Sequence, residues 1–262
     1  MAWAKDGLSW EEYFVMMQNM DAAHRHTLSE LHRLKQVHDF AFRGCTSLDI
    51  RKLPDDTSTI GAGAFQGCTA LKAMALPSSL QTIDHFAFSG CSNLKSVLLR
   101  KGLQTIDAFA FADCKALTSV RLPQGLQTIE NAAFSGCSNL KRVLLPKGLQ
   151  TIEAFVFAEC FDLTSVRLPE GLQTIGESAF ADCVALKSVR LPEGLQTIGE
   201  CAFADCEALT SVSFPPSLLA IENSAFARCS KLRSVKVPLE GCNVDDGAFD
   251  QGTRVTFYSV RD

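Results

Sequence analysis

The sequence predicts a solenoid, a stack of short coils with parallel strands along its sides and no long helix in the stack. Three observations predict it. Phe recurs from Phe42 to Phe249 at intervals of 23 residues without a slip. Cys from Cys45 to Cys229, Leu from Leu48 to Leu232 and Ile from Ile60 to Ile221 keep step with it. Within the period no segment is long enough for a typical helix of about 11 residues. One such unit cannot bury its own Phe, Leu, Val and Ile, whereas stacking it on a copy buries both faces.

A stack exposes an apolar cross-section at each end, so residues 1–36 are expected to form a helical cap. Ser9 with Glu12 makes a capping box, and Trp10, Phe14 and Met17 follow at i, i+4, i+7. Thr27 with Glu30 opens a second short helix carrying Leu28, Leu31 and Leu34. The alternative use of this helical pair is to dock a partner. From 37 to 262 ten 23-residue repeats follow, whose consensus is C-x-x-L-x-S-V-x-L-P-x-G-L-Q-T-I-x-x-x-A-F-x-x. In "LTSVRLP" at 117–123, Val120 and Leu122 alternate with Ser119 and Arg121, the signature of a short strand with one buried face. Pro123 ends that strand, having no amide to donate, and with Gly125 makes a turn. Leu126 and Ile129 return the chain inward, and Ala133 and Phe134 fill the coil from the far side, over short strand, turn and 3-10 segments. "SGCSNLKSVLLRKGLQTI" at 89–106 returns as "SGCSNLKRVLLPKGLQTI" at 135–152, which points to two coils duplicated together. At the far end Gly252 stands where Cys is due, and Val255, Tyr258 and Val260 are expected in the columns of a terminal strand.

"LPEGLQTIGESAFADCVALKSV" at 168–189 closely resembles the leucine-rich repeat class of BspA-like surface proteins and treponemal repeat proteins, with L-P-x-x-L-x-x-I, A-F and C-x-x-L in order. The resemblance covers residues 37 to about 260. It implies a right-handed leucine-rich repeat solenoid with a parallel sheet on its concave face, and a function in binding. Members look like adhesins, surface antigens or protein-interaction modules, and the repeat has no catalytic residues to carry over.

Composition bounds the partners. With 47% hydrophobic and 21% charged residues the chain has a sizeable core, and a net charge of −4 gives no pull toward nucleic acid or anionic membranes. The opening MAWAKDGLSWEEYF interrupts any signal-like apolar run, and no window approaches about 18 apolar residues. The expectation is therefore a cytoplasmic monomer, or a cell-surface protein if the chain is part of a longer one.

Eleven cysteines invite a metal or disulfide reading. Nine form one repeat column without any C-x-x-C, and ligands from successive coils would lie along a line instead of converging on a tetrahedron. They read as small buried hydrophobes. Cys201 stands outside the column, where Ser178 stands one coil earlier, and a thiol enzyme using Cys201 is the reading from another functional class. His24, His26 and His32 near Asp21 and Glu30 offer ligand types for a metal, but read as a solvated helix face. No nucleophile elbow, phosphate loop or dinucleotide fingerprint is present, so no catalytic residue, cofactor or metal is expected.

The outward columns of the strand carry the candidate site. Ser119 and Arg142 lie in one; Leu98, Arg121, Leu144, Arg167, Arg190 and Lys236 lie in the other. Solvent-facing Leu98 and Leu144 are not required by the fold, and interfaces favour Arg mixed with apolar groups. The expected function is a non-enzymatic scaffold binding a partner protein through this face. A cell-surface adhesin is the second reading, and a spacer without a partner the third. The acidic Asp84, Asp107, Glu130 and Glu153 recur in a different column, separating positive from negative charge.

Overall fold

The computed structural model describes residues 35–259. The expected helical cap falls outside them except for its last two positions, and there Gln36 already belongs to the first coil: Gln36–Val37 pairs in parallel with Thr59–Ile60.

Two parallel ladders run along the stack, each pairing residues 23 apart. One is made of two-residue strands such as Thr82–Ile83, Thr105–Ile106 and Thr128–Ile129, with every Ile turned inward. The other is made of three-residue strands, Ala73–Ala75 paired with Ser96–Leu98, and then Ser119–Arg121, Arg142–Leu144, Ser165–Arg167, Ser188–Arg190 and Ser211–Ser213 in one sheet, with partings between Leu98 and Ser119 and between Ser213 and Ser234. In these the middle residue, Val in six of the seven, points into the core and its neighbours point out, as the alternation predicts. This second ladder is the sheet that the leucine-rich repeat class places on its concave face.

The third side of each coil is a turn segment, and its hydrogen bonding explains why it needs no helix. In the coil at 107–114 the amides of Phe109, Phe111 and Asp113 donate to Asn131, Ala133 and Ser135 of the next coil at 3.0, 2.8 and 2.8 Å. Those of Ala110, Ala112 and Cys114 donate back to Asp107, Phe109 and Phe111 within the coil. Turning alternate amides in opposite directions requires two left-handed residues per coil, here Phe109 at φ 57° and Asp113 at φ 56°.

Inside the stack the rings of Phe42 through Phe249 form one continuous pile, with centroids 5.1 to 5.7 Å apart and planes within 18° of parallel. Each of the eight column thiols from Cys68 to Cys229 donates to the carbonyl of the Phe 26 residues earlier, at distances from 2.9 Å for Cys68 on Phe42 to 3.5 Å for Cys160 on Phe134. The column is thus both packing and a weak hydrogen-bond ladder. Burial pushes the thiols of Cys91, Cys137 and Cys229 up to about 12, and all eleven cysteines are free.

Two irregularities depart from the strict period. The last coil is three residues short: Ser234–Pro238 pairs with Arg254–Tyr258, so Val235 meets Val255 and Val237 meets Phe257, while Phe226 still faces Phe249 in phase. Val255 is in a strand column as expected, Phe257 pairs with Val237 but is 54% exposed, and Tyr258 pairs with Pro238. Val260 lies outside the described residues. The second irregularity is a parting of the short ladder between Thr128–Ile129 and Thr151–Ile152. Elsewhere the ladder is tied by bonds such as Gln173 N to Gln150 O at 2.7 Å and Gly176 N to Ile152 O at 2.8 Å; the equivalent bonds from Gln150 and Glu153 to Gln127 and Ile129 are not made. A cleft of about 570 Å³ opens there, lined by Gln127, Thr128, Gln150, Thr151 and Glu153. It coincides with Glu130 and Glu153, adjacent glutamates whose like charges oppose close approach.

Candidate protein interface

The three-residue ladder brings the sequence-predicted residues onto one face. Arg121, Leu144, Arg167 and Arg190 are successive partners in a single register, and Leu98 stands one coil before Arg121 in the separate two-stranded sheet with Ala75. Ser119 and Arg142 pair in the column beside them. Lys236 is exposed in the longer strand that follows. All eight are exposed, and the two leucines strongly so, Leu98 at 49% and Leu144 at 52%. Among the described residues none of the five basic side chains is engaged in an ion pair. The face therefore offers apolar area flanked by uncommitted positive charge, the combination enriched in interface cores.

The rest of the coil carries the opposite sign. Across the ten turn segments, from 36–45 to 243–252, there are fifteen Asp and Glu against two Arg. The segments between them, 46–58 to 253–259, hold eighteen Lys and Arg against eight Asp and Glu. The near-neutral total thus conceals a bias between the turn segments and the rest of the coil, strongest from about residue 82 to 160.

Sequence reasoning missed a second surface feature. Phe40, Phe86, Phe109 and Phe155 share a column on the turn segment, at φ 56° to 59°, and are 36% to 43% exposed. A bulky residue in the left-handed region costs roughly 1–2 kcal/mol. Gly63, Ser178 and Cys201 occupy the same column elsewhere, so the turn does not require an aromatic ring. The pairing with the residue two places earlier was visible: Asp84, Asp107 and Glu153 precede Phe86, Phe109 and Phe155, whereas Gly61, Gly176 and Gly199 precede Gly63, Ser178 and Cys201.

The other candidates can now be placed. Cys201 is partly buried at φ 53°, and its thiol is held above the ordinary value by burial and by the carboxylates of Glu200 and Glu177, the opposite of an activated nucleophile. His24, His26 and His32 lie outside the described residues. Asp84, His85 and Asp107 bring ligand atoms within 4.8 Å of one another, with Asp84 Oδ1 2.6 Å from His85 Nδ1.

A family model described as BspA type leucine rich repeat region, in six copies, matches residues 26–141 and 150–260. The chain belongs to the BspA-type leucine-rich repeat family. Solved structures share the leucine-rich repeat fold. A leucine-rich repeat protein from Eubacterium ventriosum is 23% identical with a TM-score of 0.59, over 88% of this chain and 71% of that one. A leucine rich cell surface protein from Faecalibacterium prausnitzii is 23% identical with a TM-score of 0.51, over 88% and 78%. The leucine-rich repeat protein of T. pallidum is 27% identical with a TM-score of 0.49, over 76% and 79%. Among curated proteins no sequence matches significantly. Among the described residues no helix is long and apolar enough to cross a membrane.

Proposed function

We propose that this BspA-type solenoid is a binding scaffold that holds an acidic partner protein on its three-residue ladder. Arg121, Arg142, Arg167, Arg190 and Lys236 supply charge, and Leu98 and Leu144 supply contact area. The observation that carries the reading is the alignment of exposed Leu with Arg free of ion pairs in one register of an otherwise serine-rich sheet. The opposite sign of the turn segments adds to it, because an acidic partner would be steered to one face and repelled from the other. No relative supports the cytoplasmic location that composition suggests. One relative is described as a cell surface protein, which favours as second reading a partner outside the cell.

The test compares the wild type with the combined variant Arg121→Glu, Arg167→Glu, Arg190→Glu, equally folded by circular dichroism, each used to retain proteins from the source cell's lysate and to bind intact cells. A protein retained by wild type and lost by the variant is the expected result. Variant-sensitive binding confined to intact cells would select the surface reading. Equal retention by both chains would reject the ladder as the interface.

A further inference from the structure

We propose that the turn edge bearing Phe86, Phe109 and Phe155 beside Asp84, Asp107 and Glu153 docks a basic amphipathic α-helix of a second partner, lying along the solenoid with one helical turn per coil. This site is independent of the ladder face and does not rest on the reading given above for it.

The repeats themselves show that the acid and ring pairs are not needed for folding. Coils with Gly at the first position carry Gly63, Ser178 or Cys201 at the second and build the same left-handed turn. In the four successive coils at 84–155 an acid comes first each time and a half-exposed Phe second in three, Ala132 being the exception, whereas the later acids Glu222 and Asp245 are followed by Ser224 and Gly247; the ring is therefore confined to this stretch and not imposed by the acid. Rings kept in a strained backbone conformation and turned to water call for a reason outside the fold. Phe86 and Phe109 stack at 4.9 Å and form one continuous aromatic surface.

The chemistry of the occupant follows from what lies beside the rings. Stacked carboxylates raise one another's cost of ionisation: Glu130, in the same column, is held above the ordinary carboxylate value by burial, then by Glu153 and Asp107. Cations relieve that repulsion and are also drawn to ring faces. The first coil shows the contact in miniature, for the Arg43 guanidinium sits 5.4 Å from the centroid of Phe40. Among the described residues no other ring of the column carries a cation. A cation-bearing side chain of a partner fits the same place on Phe86, Phe109 and Phe155, and the fifteen-to-two excess of acids along the turn segments would guide it there.

The pitch selects a helix. Successive coils are about 5 Å apart by the ring centroids, and a helix advances about 5.4 Å per turn, so Lys or Arg at i, i+4, i+7 and i+11 meets one coil each. An extended chain returns to the same side only every 6.6 Å or so and falls out of register within two coils.

The probe is a synthetic amphipathic peptide of about 18 residues, or five turns, with Lys at i, i+4, i+7 and i+11 and Leu beside them. Its affinity for the full chain is read by fluorescence anisotropy. The combined variant Phe86→Gly, Phe109→Gly, Phe155→Gly keeps the backbone that Gly63 already adopts, and is expected to bind about tenfold more weakly, the effect of losing three cation and ring contacts. A peptide of equal composition with two central prolines is expected to lose affinity similarly, while the Arg121, Arg167, Arg190 variant binds it as wild type does. Equal binding by the folded glycine variant, equal binding of the proline peptide, loss of binding in the arginine variant, or no wild-type binding at roughly 100 μM would each overturn the proposal.

Discussion

Phe155 and Phe157 stand two residues apart in one coil, and the solvent meets them differently. Phe157 is 0% exposed between Phe134 and Phe180, whereas Phe155 is 40% exposed at φ 59°. Removing the Phe157 ring opens a cavity inside a pile with little room to collapse, so Phe157→Ala is expected to cost about 3–5 kcal/mol. Phe155→Gly gives up partial contact but also releases a left-handed backbone cost of roughly 1–2 kcal/mol. Its net effect is expected to stay within about 1 kcal/mol, after the greater freedom glycine adds to the unfolded chain. Urea melts of the two variants check the contrast. If Phe155→Gly proved as costly as Phe157→Ala, the exposed column would be structural and the helix-docking strip would lose its main argument.

At the scale of the element, the short ladder sets its inward Ile column against carboxylates stacked at coil spacing. A carboxyl held above its ordinary range binds its proton more readily in the folded chain than in the unfolded one. Ionised Glu130 therefore works against folding at neutral pH, and that penalty fades as pH falls through the raised value toward the ordinary 4.5. Glu130→Gln is expected to raise the urea midpoint at pH 7 and to lose the advantage by about pH 4. A variant less stable than wild type at pH 7 would show that the carboxylate contributes more through its contacts than repulsion removes. This ladder also marks where sequence stops being informative. Inward Ile was legible from its phase, and Leu98, Leu144 and the Arg column were legible because alternation assigns them to a face. The exposed Phe column was not, since an apolar residue in a turn looks like core until the sign of φ is known. Nor was the parting at Glu130 and Glu153, because the repeat is unbroken there and only the backbone bonds fail. The short last coil was hidden for a related reason: Gly252 falls in phase and conceals a three-residue deletion between Phe249 and Arg254.

A molecule built this way has stability that is close to a sum of coils and the interfaces between neighbours. Such an array separates first at its weakest interface. Between the coils containing Ile129 and Ile152 the short ladder is unbonded, and the ring spacing from Phe134 to Phe157, 5.7 Å, is the widest in the pile. The three-residue ladder still spans this point through Ser119–Arg121, Arg142–Leu144 and Ser165–Arg167, and the turn bonds Phe134 N to Val156 O and Gly136 N to Ala158 O remain. The interface is weakened on one side of three, as are those between Leu98 and Ser119 and between Ser213 and Ser234, where the three-residue ladder parts while the short one holds; the wider ring spacing is what sets this one apart. Under mild denaturant the solenoid is therefore expected to respond as two blocks joined at a hinge line, one up to Glu130 and one from Thr151 onward. Native-state hydrogen exchange tests this directly. The amide of Glu153 should exchange faster than those of Glu130 and Gly176, its counterparts one coil away, and protection in the two blocks should fall at different urea concentrations. Uniform protection lost in one step across all coils would mean that the remaining two sides carry the coupling. The polarised charge runs through both blocks, so a partner lying along either face would bridge the hinge line, and its binding is expected to slow exchange at Glu153 in proportion to the span it covers.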